Sequence, residues 1–481
     1  MNTDIYRLQA EMDKLVEIGP KLTGGKGHSQ YIEYLKSEIS NMGLPLYIDP
    51  FFFDRWEAKN YSLKVNMNGR MKDIPVSSPH PYSGETGKDG VEGELVYLGG
   101  AFRPCGIKGK IPVIKMTNLS ALPSTLAFNA RSAYPADTAI PDHYTGPVAT
   151  AMVKCLLEGI MKLGKPAGAV FVWNKLPDKV AEGQVMPFIQ DYLGVPVLWV
   201  NESNGKDLIE AAKQHKKAVL TLEAEKEEGA YTESFYTIIP GKNRKESIIV
   251  NTHTDGPNGV EENGPAALLE MLRCIKDEPL ERTHIFLFTT GHFRLPVFKD
   301  ISTGSFQSVS KWLAMHRNLW DGKKENLKCV ANLTIEHLGC MEWICDGKDY
   351  IPTGKLEIEL VYTGNKFMDE LYMSTVAETR KNTRSFTLRG HNMLHFGEGQ
   401  NLFTMGIPGI CLVPAPFYLC VQSDNMETDK FNIDLMHEQV DTFLTLLKKY
   451  EKIPTKDFGK SDGYSLLLAH KRAKPFLPTK K

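Results

Sequence analysis

One strand–loop–helix segment, residues 248–270, constrains the fold and the chemistry of this chain more than any other stretch. Residues 248–250 are apolar and β-branched, which predicts a buried parallel strand. After a loop rich in Gly, Pro and Asn, the Ala/Leu-rich residues 266–275 predict a helix. The polar side chains between strand and helix include His253, Asp255, Glu261 and Glu262. Sites in open α/β sheets lie beyond the carboxyl ends of the strands, so these side chains stand where chemistry is expected.

Metal binding is the natural use of such a set. A neutral imidazole and carboxylates suit a zinc-like divalent ion. Asp255, two residues after His253, is placed to accept the second ring N–H and so fix the tautomer, as the groups behind metal ligands do. The alternative is an ordinary loop histidine beside a solvated acidic turn, and this stretch alone does not decide between the two.

Composition restricts the class of protein. A chain of 481 residues is too long for one core of ordinary size, so at least two domains are expected. The formal net charge is -1, which gives no sign of a nucleic-acid or anionic-membrane partner. The eight cysteines are scattered, and the sequence shows neither a signal-peptide core nor an apolar run that would span a bilayer. We therefore expect a cytoplasmic protein with reduced thiols.

The predicted secondary-structure pattern changes twice along the chain. Two segments with apolar residues at helical spacing precede residue 60, and short β-rich runs follow between residues 61 and 227. A regular alternation of strands and helices then resumes. This pattern predicts a doubly wound α/β domain made of residues 1–60 and 228–481, with residues 61–227 inserted into it.

Polar residues follow the later predicted strands as well. The strand His284–Phe288 leads to His292, and the strand Val330–Ile335 leads to Glu336 and His337. A further polar segment before the last strand contains His391, His395 and Glu398. In a parallel sheet these strand ends meet at one edge, so a joint site is expected. Because neighbours on a strand point to opposite faces, His337 joins Glu336 only if the strand end bulges.

With these blocks in place, the chain resembles the zinc aminopeptidase / glutamate carboxypeptidase II superfamily. His253-Thr254-Asp255 is similar to the family's His-x-Asp motif, and Gly406-Ile407-Pro408 is similar to its late strand entry. The β-rich residues 61–227 resemble its protease-associated insert. The resemblance implies a doubly wound mixed sheet of the zinc-aminopeptidase type with an inserted, β-rich protease-associated-like domain.

The resemblance also implies a remodelled metal site. His253 matches a ligand of the first metal, and Glu262, with Glu261 as the alternative, matches the bridging Asp. Gly291-His292 stands where the family has Glu-Glu, so the general base is absent and a ligand has become a histidine. Glu336 matches a further carboxylate ligand, and Ser423 replaces the final histidine, near which Asp424 is a substitute donor. The expected cofactor is one divalent ion, zinc first and manganese or iron as alternatives, held by His253, Glu262, Glu336 and His292.

A metal-dependent hydrolase is the leading hypothesis. With the family's base missing, an ordinary aminopeptidase is disfavoured, and a small amide or other carbonyl compound, or a short peptide-like molecule, is the expected substrate. The candidates for proton transfer are His292, His337, His395 and Glu398. The alternatives are a metal-dependent lyase, cyclase or isomerase, and a non-catalytic scaffold like the transferrin receptor ectodomain. Self-association into a homo-oligomer is left open.

Overall fold

The strand–helix alternation expected from the sequence is present. The computed structural model describes residues 2–119, 126–141, 146–155, 157–186, 191–304, 307–346, 349–391 and 395–462. The helices in these ranges are α1 Ile5–Ile18, α2 Lys26–Asn41, α3 Pro147–Cys155, α4 Glu158–Lys162, α5 Asp178–Ala181, α6 Glu202–Lys213, α7 Gly264–Ile275, α8 Leu295–Phe298, α9 Val309–Met315, α10 Lys366–Thr379, α11 Gln400–Thr404, α12 Ile433–Tyr450 and α13 Thr455–Phe458.

The strands join one large sheet and one hairpin. They are β1 Tyr47–Met67, β2 Arg70–Ile74, β3 Ser78–Pro79, β4 Val91–Tyr97, β5 Ile111–Thr117, β6 Ala130–Tyr134, β7 Ala169–Asn174, β8 Val197–Val200, β9 Lys217–Ile239, β10 Asn243–His253, β11 Arg282–Thr289, β12 Lys328–Ile335, β13 Met341–Asp346, β14 Asp349–Leu356, β15 Glu359–Thr363, β16 Ser385–Arg389 and β17 Gly409–Leu412. Strands β13 and β14 form the hairpin.

The main half of the sheet has the order β9-β11-β10-β12-β17-β15-β16-β6. Strands β11, β10, β12 and β17 are parallel to one another, while β9 and β15 run antiparallel to their neighbours in this group. The mixed α/β class is therefore confirmed. The carboxyl ends of β10, β11 and β12 lie side by side, and each is followed by polar residues that the sequence singles out.

Helix α7 packs directly on this sheet because of its composition. Nearly all of its side chains are buried, including Ala266 and Leu268. Gly264 begins the helix, and a Cβ there would lie 2.0 Å from Thr252 Oγ1. Only glycine permits this approach, and the approach sets where the loop between His253 and the helix must run.

The region expected to form an insert has its own strands and its own core. Strands β4, β5, β7 and β8 are parallel, and an apolar cluster around Val113, Val170 and Leu198 packs beneath them. Strands β1 and β9 pair along nearly their whole length and run through the expected boundaries at residues 60 and 227. Strand β6 leaves this region and adds to the edge of the main sheet beside β16. Residues 61–227 are thus less self-contained than their sequence indicates.

None of the helices in the described ranges is both long enough and apolar enough to cross a bilayer.

Candidate metal centre

His253 is the last residue of strand β10, and its ring orientation is fixed by the backbone. Its Nδ1 donates to the carbonyl oxygen of Asp255, 3.0 Å away. The side chain is buried, and burial lowers its pKa well below the ordinary value. The ring is therefore neutral, and its Nε2 lone pair is presented to the space beyond the strand end. This is the protonation state in which an imidazole binds a metal.

Asp255 acts through its backbone on His253 and through its side chain on the next strand end. The carboxylate accepts from the backbone N–H groups of Gly291, His292 and Phe293 at 3.1, 3.2 and 2.9 Å. It also accepts from the Thr23 hydroxyl. The expected bond from the His253 ring to this carboxylate is replaced by the carbonyl of the same residue, because the carboxylate is occupied by the turn that carries His292.

His292 begins a 3₁₀ turn after strand β11 and lies against His253. Its Nδ1 donates to Glu398 Oε1 at 2.8 Å, and its Nε2 lies 3.8 Å from Glu261 Oε1. Burial opposes its charged form, but the bond to Glu398 and the nearby carboxylates of Glu261 and Glu336 raise its pKa to about 9. The rings of His253 and His292 are stacked, with centroids 4.1 Å apart and planes inclined by 12°.

The described residues whose ligand atoms converge closely are His253, Glu261 and His337, and His292 is not among them. His292 therefore lies against the candidate ligands, with its Nδ1 directed to Glu398.

His337 turns into the same space as Glu336, against the alternation of a strand. Its backbone has φ 57°, a left-handed conformation that breaks the period of two at the end of β12. The ring Nδ1 donates to the Pro414 carbonyl at 2.7 Å. Its Nε2 lies 3.0 Å from Glu261 Oε2 and 3.9 Å from Glu336 Oε2. The left-handed residue just beyond the strand breaks the alternation, and His337 therefore stands among the candidate ligands.

The two adjacent glutamates after β10 have separate roles. Glu262 Oε1 lies 2.7 Å from Lys21 Nζ, and both side chains are fully buried. Lys21 Nζ also donates to the carbonyls of Leu15 and Gly19, at 2.7 and 2.6 Å. Burial disfavours the ionised form of Glu262 and raises its pKa, while the charge and hydrogen bond of Lys21 oppose that rise. Glu262, the first choice from the sequence, is thus held by Lys21, and Glu261 reaches the histidines in its place. Lys21 itself was missed, because a lysine in a glycine-rich loop carries no local sign of burial.

The ligand atoms of His253, Glu261 and His337 lie within 4.8 Å of one another. Glu336 Oε2 lies 3.9 Å from the Nε2 atoms of both histidines. Within the described ranges, both Nε2 atoms, both carboxylate oxygens of Glu261 and Glu336 Oε2 are buried and make no hydrogen bond; the contact of 3.0 Å between His337 Nε2 and Glu261 Oε2 is an ion-pair contact. Buried polar atoms are costly to leave unpaired. The donor set therefore fits a divalent cation, which would satisfy all of these atoms together.

The two remaining candidates from the sequence lie behind or beside the cluster. The carboxylate of Glu398 accepts from His292, from the Ser308 hydroxyl at 2.9 Å and from the Val309 N–H at 2.7 Å. It anchors His292 at the start of α9 and has little capacity left for proton transfer. The described ring contacts of His395 are with Tyr362 and Phe403, and burial lowers its pKa to about 3. The structure does not bring His395 into the cluster.

A cavity of about 90 Å³ opens directly onto the cluster. Its wall includes Glu261, His292, Glu336 and His337. Gly397 also lines it, and a Cβ at that position would lie 2.6 Å from Glu336 Oε2. The absence of a side chain at residue 397 therefore leaves room beside that oxygen.

Further positions that the resemblance matches to family residues lie as follows in this structure. Gly291 has φ 91°, and a Cβ there would lie 2.1 Å from the Phe298 ring, so no glutamate fits. Ser423 and Asp424 line a second, larger cavity of about 540 Å³ between the N-terminal loop and residues of the insert. In this structure Ser423 donates to Asn425 Oδ1.

No family model matches the chain, and no curated protein sequence matches it. Several solved structures are similar to it. An aminopeptidase from Aneurinibacillus sp. strain AM-1 is similar over 96% of this chain and 95% of its own, with a TM-score of 0.62 and 14% identity. The zinc aminopeptidase BSAP from Bacillus subtilis gives 96% and 98% coverage, a TM-score of 0.62 and 16% identity. A peptidase M28 precursor from Shewanella amazonensis gives 91% coverage of both chains, a TM-score of 0.60 and 12% identity. The resemblance expected from the sequence is confirmed at the level of architecture: this chain shares the fold of these aminopeptidase structures.

Proposed function

We propose that this protein is a metal-dependent hydrolase with a single divalent ion, and that it acts on a small amide or other carbonyl compound. The observation that carries the proposal is the convergence of unpaired, buried ligand atoms from His253, Glu261 and His337, with Glu336 Oε2 beside them. Two imidazoles and a carboxylate form a common zinc ligand set. Zinc is therefore the proposed ion, with manganese or iron as alternatives.

The hydrogen bonds that hold the proposed ligands in place support this assignment. His253 and His337 each give Nδ1–H to a backbone carbonyl, which turns Nε2 toward the cluster. Metal-binding histidines are typically held in this way. Glu336 keeps one oxygen on the Glu398 backbone N–H at 2.7 Å and leaves the other for the site. The ligands are thus oriented before an ion arrives.

A bound ion at this position would polarise a substrate carbonyl and lower the pKa of a bound water to about 7. The chain must then supply the proton transfer. His292 is the group the geometry leaves for it, because its ring stacks on His253, its Nδ1 is anchored by Glu398, and its Nε2 lies 3.8 Å from Glu261 Oε1. We assign to His292 Nε2 the role of holding a proton and donating it to the leaving group, because a pKa of about 9 keeps the ring protonated at neutral pH.

Metal content tests the proposal. Protein purified without added metal, then loaded with zinc and desalted, is expected to hold about one equivalent by plasma mass spectrometry. His253→Ala and His337→Ala are expected to lose it. His284→Ala is the matched control, since His284 is equally buried but pairs with Glu451 at 2.9 Å, and it should keep the ion. Two equivalents would contradict a single-ion site, and none after loading with zinc, manganese or iron would favour the scaffold alternative.

A further inference from the structure

We propose that the cavity at the metal cluster selects a short, uncharged acyl group, and that Gln307 accepts a hydrogen bond from the N–H of the amide attached to it. This inference rests on the proposed function and defines its substrate class. The substrate is then a small neutral amide, and neither a free amino terminus nor a bulky side chain is seated at the ion.

Cavity size limits the acyl group. An apolar cavity of about 150 Å³ holds one benzene molecule. The cavity here has about 90 Å³ and must also hold the carbonyl that faces the cluster. It therefore accommodates an acetyl- or propionyl-sized group and excludes a phenyl ring. The wall residue Val413 is 3% exposed and packed, so the limit is set by close-packed side chains.

The lining also limits the charge. Apart from the cluster residues and Gln307, the described wall is made of glycine, apolar side chains and a cysteine, which are Gly146, Val148, Ala149, Leu295, Phe396, Gly397, Val413, Ala415, Pro416, Leu419 and Cys420. The carboxylates on the wall, Glu261 and Glu336, are the ones proposed to serve the ion. An ammonium group in this cavity would lose its water without gaining a counter-ion, which is strongly unfavourable.

Gln307 supplies a polar contact that an amide needs. Its side chain is 6% exposed, and its Oε1 is buried without a hydrogen-bond partner within the described ranges. The backbone N–H of Gln307 donates to Asn401 Oδ1 at 3.1 Å, which fixes the residue at the wall. An unpaired acceptor beside an apolar cavity is satisfied by a donor on the ligand, and an amide N–H is such a donor.

Hydroxamates make a direct test, because each carries an acyl group, an N–H and a metal-chelating pair of oxygens. Binding to the zinc-loaded protein is measured by isothermal titration calorimetry. Propionohydroxamate is expected to bind, and benzohydroxamate to bind roughly 10-fold or more weakly for lack of space. Glycine hydroxamate has the size of propionohydroxamate but carries an ammonium group, and it is expected to bind roughly 100-fold or more weakly.

Wall variants link the selectivity to this cavity. Val413→Ala removes two methyl groups from the wall and should improve benzohydroxamate binding relative to propionohydroxamate. Val361→Ala is the control, since Val361 is buried in the core beneath the sheet and should leave the ratio unchanged. Gln307→Leu is expected to weaken propionohydroxamate roughly 3- to 10-fold, the effect of one neutral hydrogen bond, with zinc content unchanged.

The outcomes separate the inference from the function on which it rests. Zinc-loaded protein that binds glycine hydroxamate or benzohydroxamate as tightly as propionohydroxamate would overturn the inference and leave the metal site standing. Zinc-loaded protein that binds no hydroxamate would overturn it as well. Protein that holds no metal would overturn the proposed function itself, and the inference with it.

Discussion

The adjacent glutamates Glu261 and Glu262 give the sharpest test of the site, because the structure predicts opposite effects for the same chemical change. Glu261→Gln removes a charged ligand. Changing a group that only supports a ligand typically costs 10- to 100-fold in metal affinity, so we expect a loss of more than about 100-fold here. Glu262→Gln should leave zinc affinity within roughly 3-fold of wild type, because Glu262 contacts Lys21 instead of the cluster.

Stability should change in the reverse order. Lys21 is fully buried and has Glu262 as its counter-ion at 2.7 Å. Removing one member of a buried ion pair costs about 3–5 kcal/mol, so metal-free Glu262→Gln should unfold at a clearly lower urea concentration. Metal-free Glu261→Gln should lose less stability than Glu262→Gln, because the Glu261 oxygens make no hydrogen bond and only face the rings of His337 and His292, at 3.0 and 3.8 Å.

Two measurements on the wild type, Glu261→Gln and Glu262→Gln test both expectations. A zinc titration against a competing chelator reports affinity, and urea unfolding of the metal-free forms reports stability. The double variant Lys21→Met/Glu262→Met should recover most of the stability, since apolar replacement of a buried pair is often neutral. If Glu262→Gln lost zinc while Glu261→Gln kept it, the assignment of the ligands would be wrong.

Two further predictions concern the turn that carries His292. Gly291→Ala should lower the free energy of unfolding by about 1–3 kcal/mol through overpacking against Phe298, in addition to the cost of its positive φ. Gly99→Ala, which also has a positive φ but meets nothing within 4 Å, should cost only about 1–2 kcal/mol in the same urea experiment, and equal losses would argue against the clash. In the metal-free protein the pKa of His292 is raised from about 6.5 to about 9, so its stabilising contribution is complete below pH 6.5 and lost as the pH rises toward 9. Glu398→Gln removes the carboxylate that bonds the ring and should flatten this loss in urea midpoints measured from about pH 6 to 9; an unchanged pH profile would contradict the role given to Glu398.

Much of the fold was predictable because its signals are local. The apolar run before His253 and the Ala/Leu-rich helix after it are visible within a few residues, and the same holds for the strand that ends before Glu336. The carboxyl ends of these strands lie side by side, so the location of the site followed from the order of the elements. The path of β6 was not visible, because pairing with β16 depends on contacts more than 200 residues apart in the chain.

The sequence by itself determined the architecture and the edge of the sheet at which polar residues gather, since hydrophobic period and strand ends are short-range properties. Only the tertiary structure decided which polar residues face one another. Glu261 and Glu262 are chemically identical neighbours. Their roles differ because Lys21, distant in sequence, pairs with Glu262. His337 turns inward because one backbone angle is left-handed, and the ring of His292 is stacked on the ring of His253. Burial, backbone conformation and ring packing arise from the whole fold, and they convert a set of plausible ligands into one arrangement.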